Sequence, residues 1–120
     1  MKLHHVQVSC PAGGEDAVRR FYADTLGLKE IPKPPLLAIR GGVWFADDDF
    51  ELHVGVEAEF APARKAHPCL AVDDVDVYAQ RVADAGYPVT WDDAIPGVRR
   101  FHTVDGNGNR VEIQADVSPG

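Results

Sequence analysis

Cysteine, methionine and positive charge are all scarce in this sequence. Two cysteines, Cys10 and Cys69, are too few for a disulfide framework. Counted in twos from the nearest histidine, Cys69 falls on the face of His67 and Cys10 on the face opposite His5, so free thiols are expected. Twelve basic residues against nineteen acidic ones leave a formal charge of −7. That balance excludes a nucleic-acid or anionic-membrane surface, both of which need a concentrated basic face. Arg64 with Lys65, and Arg99 with Arg100, are only local basic pairs. No apolar run approaches the ~20 residues of a membrane-spanning helix, and no basic stretch leads into an apolar core at the N-terminus. A cytoplasmic protein is expected.

What is present is ordinary globular composition, 45% apolar and 26% charged over 120 residues, enough for one domain with a real core. Within it the chain repeats itself. His5 opens HVQVSC and His67 opens HPCLAVDD; Gly27 and Gly86 each follow a helical pattern; Phe50-Glu51-Leu52 and Val111-Glu112-Ile113 close the halves. These pairs lie 62, 59 and 61 residues apart. Two copies of one module are expected, about residues 3–56 and 67–116, joined by a polar linker at 57–66.

Each copy reads as strand, helix, then three strands. Leu3 to Cys10 alternates, with Leu3, His5, Gln7 and Ser9 on one face. From Glu15 a helix presents Val18, Phe21, Tyr22 and Leu26 as one stripe and stops at Gly27. Leu28 to Ile31, Leu36 to Arg40 with Val43 to Phe45, and Phe50 to Val56 read as strands, the second broken at Gly41-Gly42. In the second copy His67 to Val72 is the opening strand, and Asp73 and Asp74 can cap a helix with the stripe Val75, Tyr78, Val82 and Ala85. Tyr87 to Trp91, Val98 to Thr103 and Arg110 to Ala115 follow as strands, and Val117 to Gly120 reads as a tail.

Most chemical motifs are missing. Asp105, Asn107 and Asn109 imitate the start of a calcium loop, but Arg110 stands where that loop needs glycine, so a hairpin turn is expected. The glycine pairs carry no phosphate-loop Lys-Ser/Thr, and no Ser or Cys sits in a nucleophile elbow. The remaining signal is His5, Glu51, His67 and Glu112 at matching points of the repeat. Two imidazoles and two carboxylates suit a divalent transition metal such as zinc, nickel, manganese, iron or cobalt, although such groups also persist as hydrogen-bonded polar residues without one. His53 shares the face of Glu51 and is its alternative.

The βαβββ duplication, the openings HVQV and HPCLAVDD and the ending DGNGNRVEI resemble the vicinal oxygen chelate superfamily: glyoxalase I, fosfomycin-modifying enzymes, extradiol dioxygenases and bleomycin-binding proteins. The resemblance spans Leu3 to Gln114. It implies an α+β fold of two tandem modules forming half-barrels around a cleft, often completed in a homodimer. It also implies metal ligands at His5, Glu51, His67 and Glu112, or at His5, His67 and Glu112 alone. Gln7, Trp44, His53, Cys69, Trp91, Arg100 and His102 would line the cleft. Two functions follow as expectations. One is a metal-dependent lyase or isomerase on a small substrate with adjacent oxygens, using Glu112 or Glu51 to move a proton. The other is a metal-free protein that sequesters an aromatic or cationic small molecule such as an antibiotic.

Overall fold

The computed structural model describes residues 1–116; the tail read at Val117 to Gly120 lies outside the described residues. The first module contributes β1 (His5–Cys10), β2 (Lys29–Ile31), β3 (Val43–Ala46) and β4 (Glu51–Val56). The second contributes β5 (Cys69–Val72), β6 (Thr90–Asp92), β7 (Arg100–Val104) and β8 (Arg110–Ala115). Their sheets have the same order, β1-β4-β3-β2 and β5-β8-β7-β6, which makes the duplication a structural fact. In each, the first strand runs parallel to the last and the other pairings are antiparallel. A parallel pairing cannot be closed by a hairpin, so each module spends its helix on the crossover.

The crossovers follow from local sequence. In the first, α1 (Glu15–Arg19) widens into a π-helical continuation over Arg20–Thr25, where Thr25 Oγ1 donates to the Arg20 carbonyl at 2.8 Å. Gly27, at φ +83°, ends it. In the second, Asp74 caps α3 (Val75–Asp84) by accepting from the Val77 amide at 3.2 Å. The expected stripe of Val18, Phe21, Tyr22 and Leu26 is buried, together with Val75, Ala79 and Val82 of α3. They pack with Val43, Phe45, Leu52, Val54, Phe101, Val111 and Ile113 in one continuous core. Truncating Phe45 or Phe101 there costs ~3–5 kcal/mol.

Leu36 to Arg40 departs from the expected strand. Pro35 instead starts a four-residue helix, α2 (Pro35–Ala38), because its fixed φ suits a first helical turn and its missing amide cannot join a sheet. The turn leaves Leu36 and Ile39 projecting outward, 82% and 83% exposed. The β7–β8 turn has a second task besides reversing the chain. Buried Asp105 accepts from Tyr22 Oη (2.7 Å), Asn109 Nδ2 (3.0 Å) and the amides of Asn107 (2.9 Å) and Asn109 (3.0 Å). Asn109 also donates to the Ser9 carbonyl (2.7 Å) and accepts from the Ala63 amide (3.0 Å). Both oxygens of Asp105 are thus engaged by protein donors, and the turn fastens the second module to β1, the first helix and the linker. Among the described residues, no helix is long and apolar enough to cross a membrane. Cys10 and Cys69 are free thiols.

Candidate functional site

Strand register, rather than sequence spacing, defines which residues of the two modules correspond. Ala46 pairs with Glu51 beside the first hairpin turn, and Val104 with Arg110 beside the second. β4 and β8 are six residues long and share one pattern of exposure from end to end. Glu51 therefore corresponds to Arg110, and His53 to Glu112. The same ladders match Trp44 with His102 and Gln7 with Cys69, since Trp44 and Gln7 flank His53 as His102 and Cys69 flank Glu112. Matching the two apolar-Glu-apolar triplets is therefore out of step by two residues. The matched His and Glu of the repeat are His5 and His67 at the openings, with His53 opposite Glu112 in the closing strands.

In the second module the polar face is a chain of charges. Glu112, with its side chain only 7% exposed, lies 2.9 Å through Oε1 from His67 Nε2 and accepts through Oε2 from Arg100 Nη1 at 3.0 Å. Arg100 Nη2 donates to Asp92 Oδ2 at 3.0 Å, and His102 Nε2 reaches the same oxygen at 3.0 Å. Burial pushes the Glu112 carboxyl up, but hydrogen bonds from His67 and Arg100 outweigh it and hold it below the ordinary carboxylate range. His67 Nδ1 meets the Lys65 carbonyl at 2.8 Å, and a carbonyl only accepts, so Nδ1 carries a proton. Its Nε2 then confronts a carboxylate oxygen, a contact that is favourable only with a cation or a second proton between them. Beside them Cys69 Sγ lies 3.6 Å from Gln114 Oε1, and burial together with the charge of Glu112 pushes its thiol up to about 11.

In the first module the corresponding face is a stack of rings. His53 lies parallel to Trp44 at 3.9 Å between centroids and to His5 at 4.2 Å on stacking. Its side chain is 6% exposed, and Nε2 bonds Glu51 Oε1 at 2.9 Å. Glu51 is 31% exposed, and its bond to His53 is the main reason its carboxyl sits below the ordinary range.

The expected site residues therefore form two groups. Gln7, Trp44, Glu51 and His53 gather with His5; Cys69, Arg100, His102 and Glu112 gather with His67. Among the described residues, the group of three metal-ligand side chains with atoms within 4.8 Å of one another is His67, His102 and Glu112. His5 and Glu51 stand outside it. Trp91 is placed elsewhere: it pairs with Phe101, whose ring it meets at 5.4 Å, and carries the Arg99 guanidinium at 4.0 Å on the face opposite Arg100 and His102. Asp92, absent from the expected set, anchors Arg100 and His102; the Thr90, Asp92 alternation across from His102 and Arg100 is the signal that would have found it.

The architecture is that of tandem βαβββ modules presenting polar faces. No family model matches the chain, and no curated protein matches it in sequence. Among solved structures, a protein assigned to the glyoxalase family from Bacillus anthracis is 43% identical, covers 98% of this chain and 96% of its own, and superposes with a TM-score of 0.93. The chain belongs to that family, within the vicinal oxygen chelate superfamily. The fold is shared with a lactoylglutathione lyase from Agrobacterium tumefaciens, 21% identical over 93% of this chain and 91% of the other, TM-score 0.74. It is shared equally with TnmS3, an antibiotic binding protein from a Streptomyces species, 22% identical over 95% and 96%, TM-score 0.73.

Proposed function

We propose that the protein is a divalent-metal-dependent lyase or isomerase of glyoxalase type, acting on a small substrate with two adjacent oxygens. The observation that carries this reading is His67, its Nδ1 proton fixed on the Lys65 carbonyl and its Nε2 aimed at Glu112. Metal-bound histidines usually have their other ring N–H held by a backbone carbonyl or a carboxylate, as the Lys65 carbonyl holds His67 Nδ1. The donor set of imidazole and carboxylate fits zinc, nickel, manganese, iron or cobalt. Arg100 occupies only Oε2 of Glu112, so Oε1 is left for the cation. His102 is turned toward Asp92 and serves as support.

In this reading His67 and Glu112 hold the metal from the second module, while His5 and His53 offer imidazoles from the first. Those pairs sit on separate sheets, so a second copy of the chain that sets a first module against a second module would complete the cleft. In the same reading Glu51, bonded to His53 at 2.9 Å, orients that ring rather than taking its position. A metal bound there would supply a Lewis acid that polarises a substrate carbonyl. Proton movement falls to Glu51: it is the more exposed carboxylate, and His53 engages only one of its oxygens. Glu112, held by Arg100 on Oε2 and facing His67 through Oε1, is the anchor. Protein purified without chelator and reloaded with nickel, zinc or manganese is expected to retain stoichiometric metal, and H67A to lose it. Failure of the parent protein to retain any of the three metals would end the proposal.

The ring stack favours a second reading. Three parallel rings from Trp44 to His5 make a platform for a planar ligand, so metal-free sequestration of an aromatic small molecule is the competing function. Tight binding of such ligands by chelated protein that never takes up metal would select it.

A further inference from the structure

We propose that the first module carries a subsite for the ring and charge of an aromatic carboxylate, formed beside His53 by Trp44, Gln7, Lys33 and Arg40. The inference rests on reading the polar face as a substrate cleft and names the substrate class for it. A cavity of about 240 Å³ opens here, walled by Trp44, Gln7 and Gly55 on the sheet and by Lys33, Leu37 and Arg40 on the β2–β3 connection. It is smaller than the ~300–1,000 Å³ of a drug-sized pocket, so it takes one substituted ring rather than an extended polycycle.

Two glycines build the space. A Cβ on Gly55 would lie 3.0 Å from Gln7 Nε2, so glycine lets the Gln7 amide lie across β4. Gly42, at φ +89°, brings the connection so near β4 that a Cβ would meet the Val54 carbonyl oxygen at 2.2 Å. That approach carries Lys33 and Arg40 to the rim. The Lys33 ammonium donates to the Gly41 carbonyl, and among the described residues it makes no other hydrogen bond, which leaves two protons for a ligand. Glu15 braces the same turn by accepting from the Gly42 amide at 3.3 Å. In the second module Cys69 and Gln114 stand where Gln7 and Gly55 stand in the first, and their side chains meet each other at 3.6 Å.

The chemistry of the walls selects the ligand. An indole accepts a flat ring, the amide offers a directional hydrogen bond, and two cations at one edge recognise an anion. A carboxylate on a planar ring satisfies all three at once.

The test uses chelated full-length W91F protein, in which Trp44 is the remaining tryptophan and no metal can capture a carboxylate. Benzoate, benzamide and cyclohexanecarboxylate are titrated while Trp44 fluorescence and its indole N–H resonance are followed. Benzoate is expected to bind best and benzamide about tenfold or more weaker, with R40Q costing benzoate about tenfold and benzamide little. Cyclohexanecarboxylate should also bind more weakly than benzoate. H67A, which removes the proposed metal ligand, should leave benzoate binding unchanged, so loss of metal and loss of the subsite are separate results. Equal affinity for benzoate and benzamide, or benzoate binding indifferent to R40Q, would overturn the proposal.

Discussion

The two modules share one backbone plan and have spent it differently. Where the second places Glu112 between His67 and Arg100, the first places His53 between Trp44 and His5. One face is held by alternating charges, the other by flat rings. The difference teaches that duplication kept positions, not chemistries: the two closing strands still offer a polar residue at the same rung, His53 in one and Glu112 in the other. What that residue does is set by its neighbours on the flanking strands.

The contrast can be broken most forcefully at Asp105, which is buried, whereas Asp47 at the same place in the first hairpin is exposed. Asp105→Ala strands the Tyr22 hydroxyl, the Asn109 amide and two backbone N–H groups, and should destabilise the fold by roughly 3–5 kcal/mol in chemical denaturation. Asp47→Ala, on the exposed first turn, should change stability by less than about 0.5 kcal/mol. Comparable losses would mean that the two turns do the same work.

Next in size is the charged face. Glu112→Gln removes the negative charge that Arg100 and His67 face and turns one acceptor oxygen into a donor, and is expected to cost ~2–3 kcal/mol of stability. Metal affinity should fall by at least ~100-fold in equilibrium dialysis. Glu51→Gln, acting through His53, should weaken metal by only ~10-fold while lowering turnover more than it raises KM. Equal metal losses would restore Glu51 to the rank of Glu112.

Acid should separate the modules more gently. Asp76, Asp92 and Glu112 of the second module have carboxyls held below their ordinary range by arginine, histidine or backbone partners, against Glu51 alone in the first. A depressed carboxyl stabilises the fold above its ordinary value, and that contribution disappears as pH falls through the depressed one. Hydrogen exchange below about pH 4.5 should therefore open β6, β7 and β8 before β3 and β4. Simultaneous opening would show that the shared core overrides local charge.

The smallest effect concerns Cys69. With its thiol at about 11, it should react with iodoacetamide at pH 7 on the order of 100-fold more slowly than a small free thiol. Glu112→Gln should speed it, whereas a rate unchanged by that substitution would remove Glu112 as a cause.

Much of this was legible in the sequence because it rests on periodicity. The stripe from Val18 to Leu26, the alternation around His5 and the Asp74 cap depend on neighbours two to four positions away. The residues that escaped depend on length of turn. Matching Glu51 with Glu112 counts residues between similar triplets, but register is set by where each hairpin reverses, at Ala46 with Glu51 and at Val104 with Arg110. Trp91 was misplaced for a related reason: the rung that pairs it with Phe101 is fixed by the β7 partner, which parity along one segment does not reveal. The helix at Pro35 is too short to show a period at all.

One consequence of the Asp105 to Asn109 turn reaches into biosynthesis. Its bonds to Tyr22 and Ser9 join residues 83 and 100 positions apart. A ribosome delivers Ser9 and Tyr22 long before it delivers Asp105 and Asn109. A nascent first module therefore waits with Tyr22 lacking its acceptor, and the opening strand is locked only when the closing hairpin has emerged.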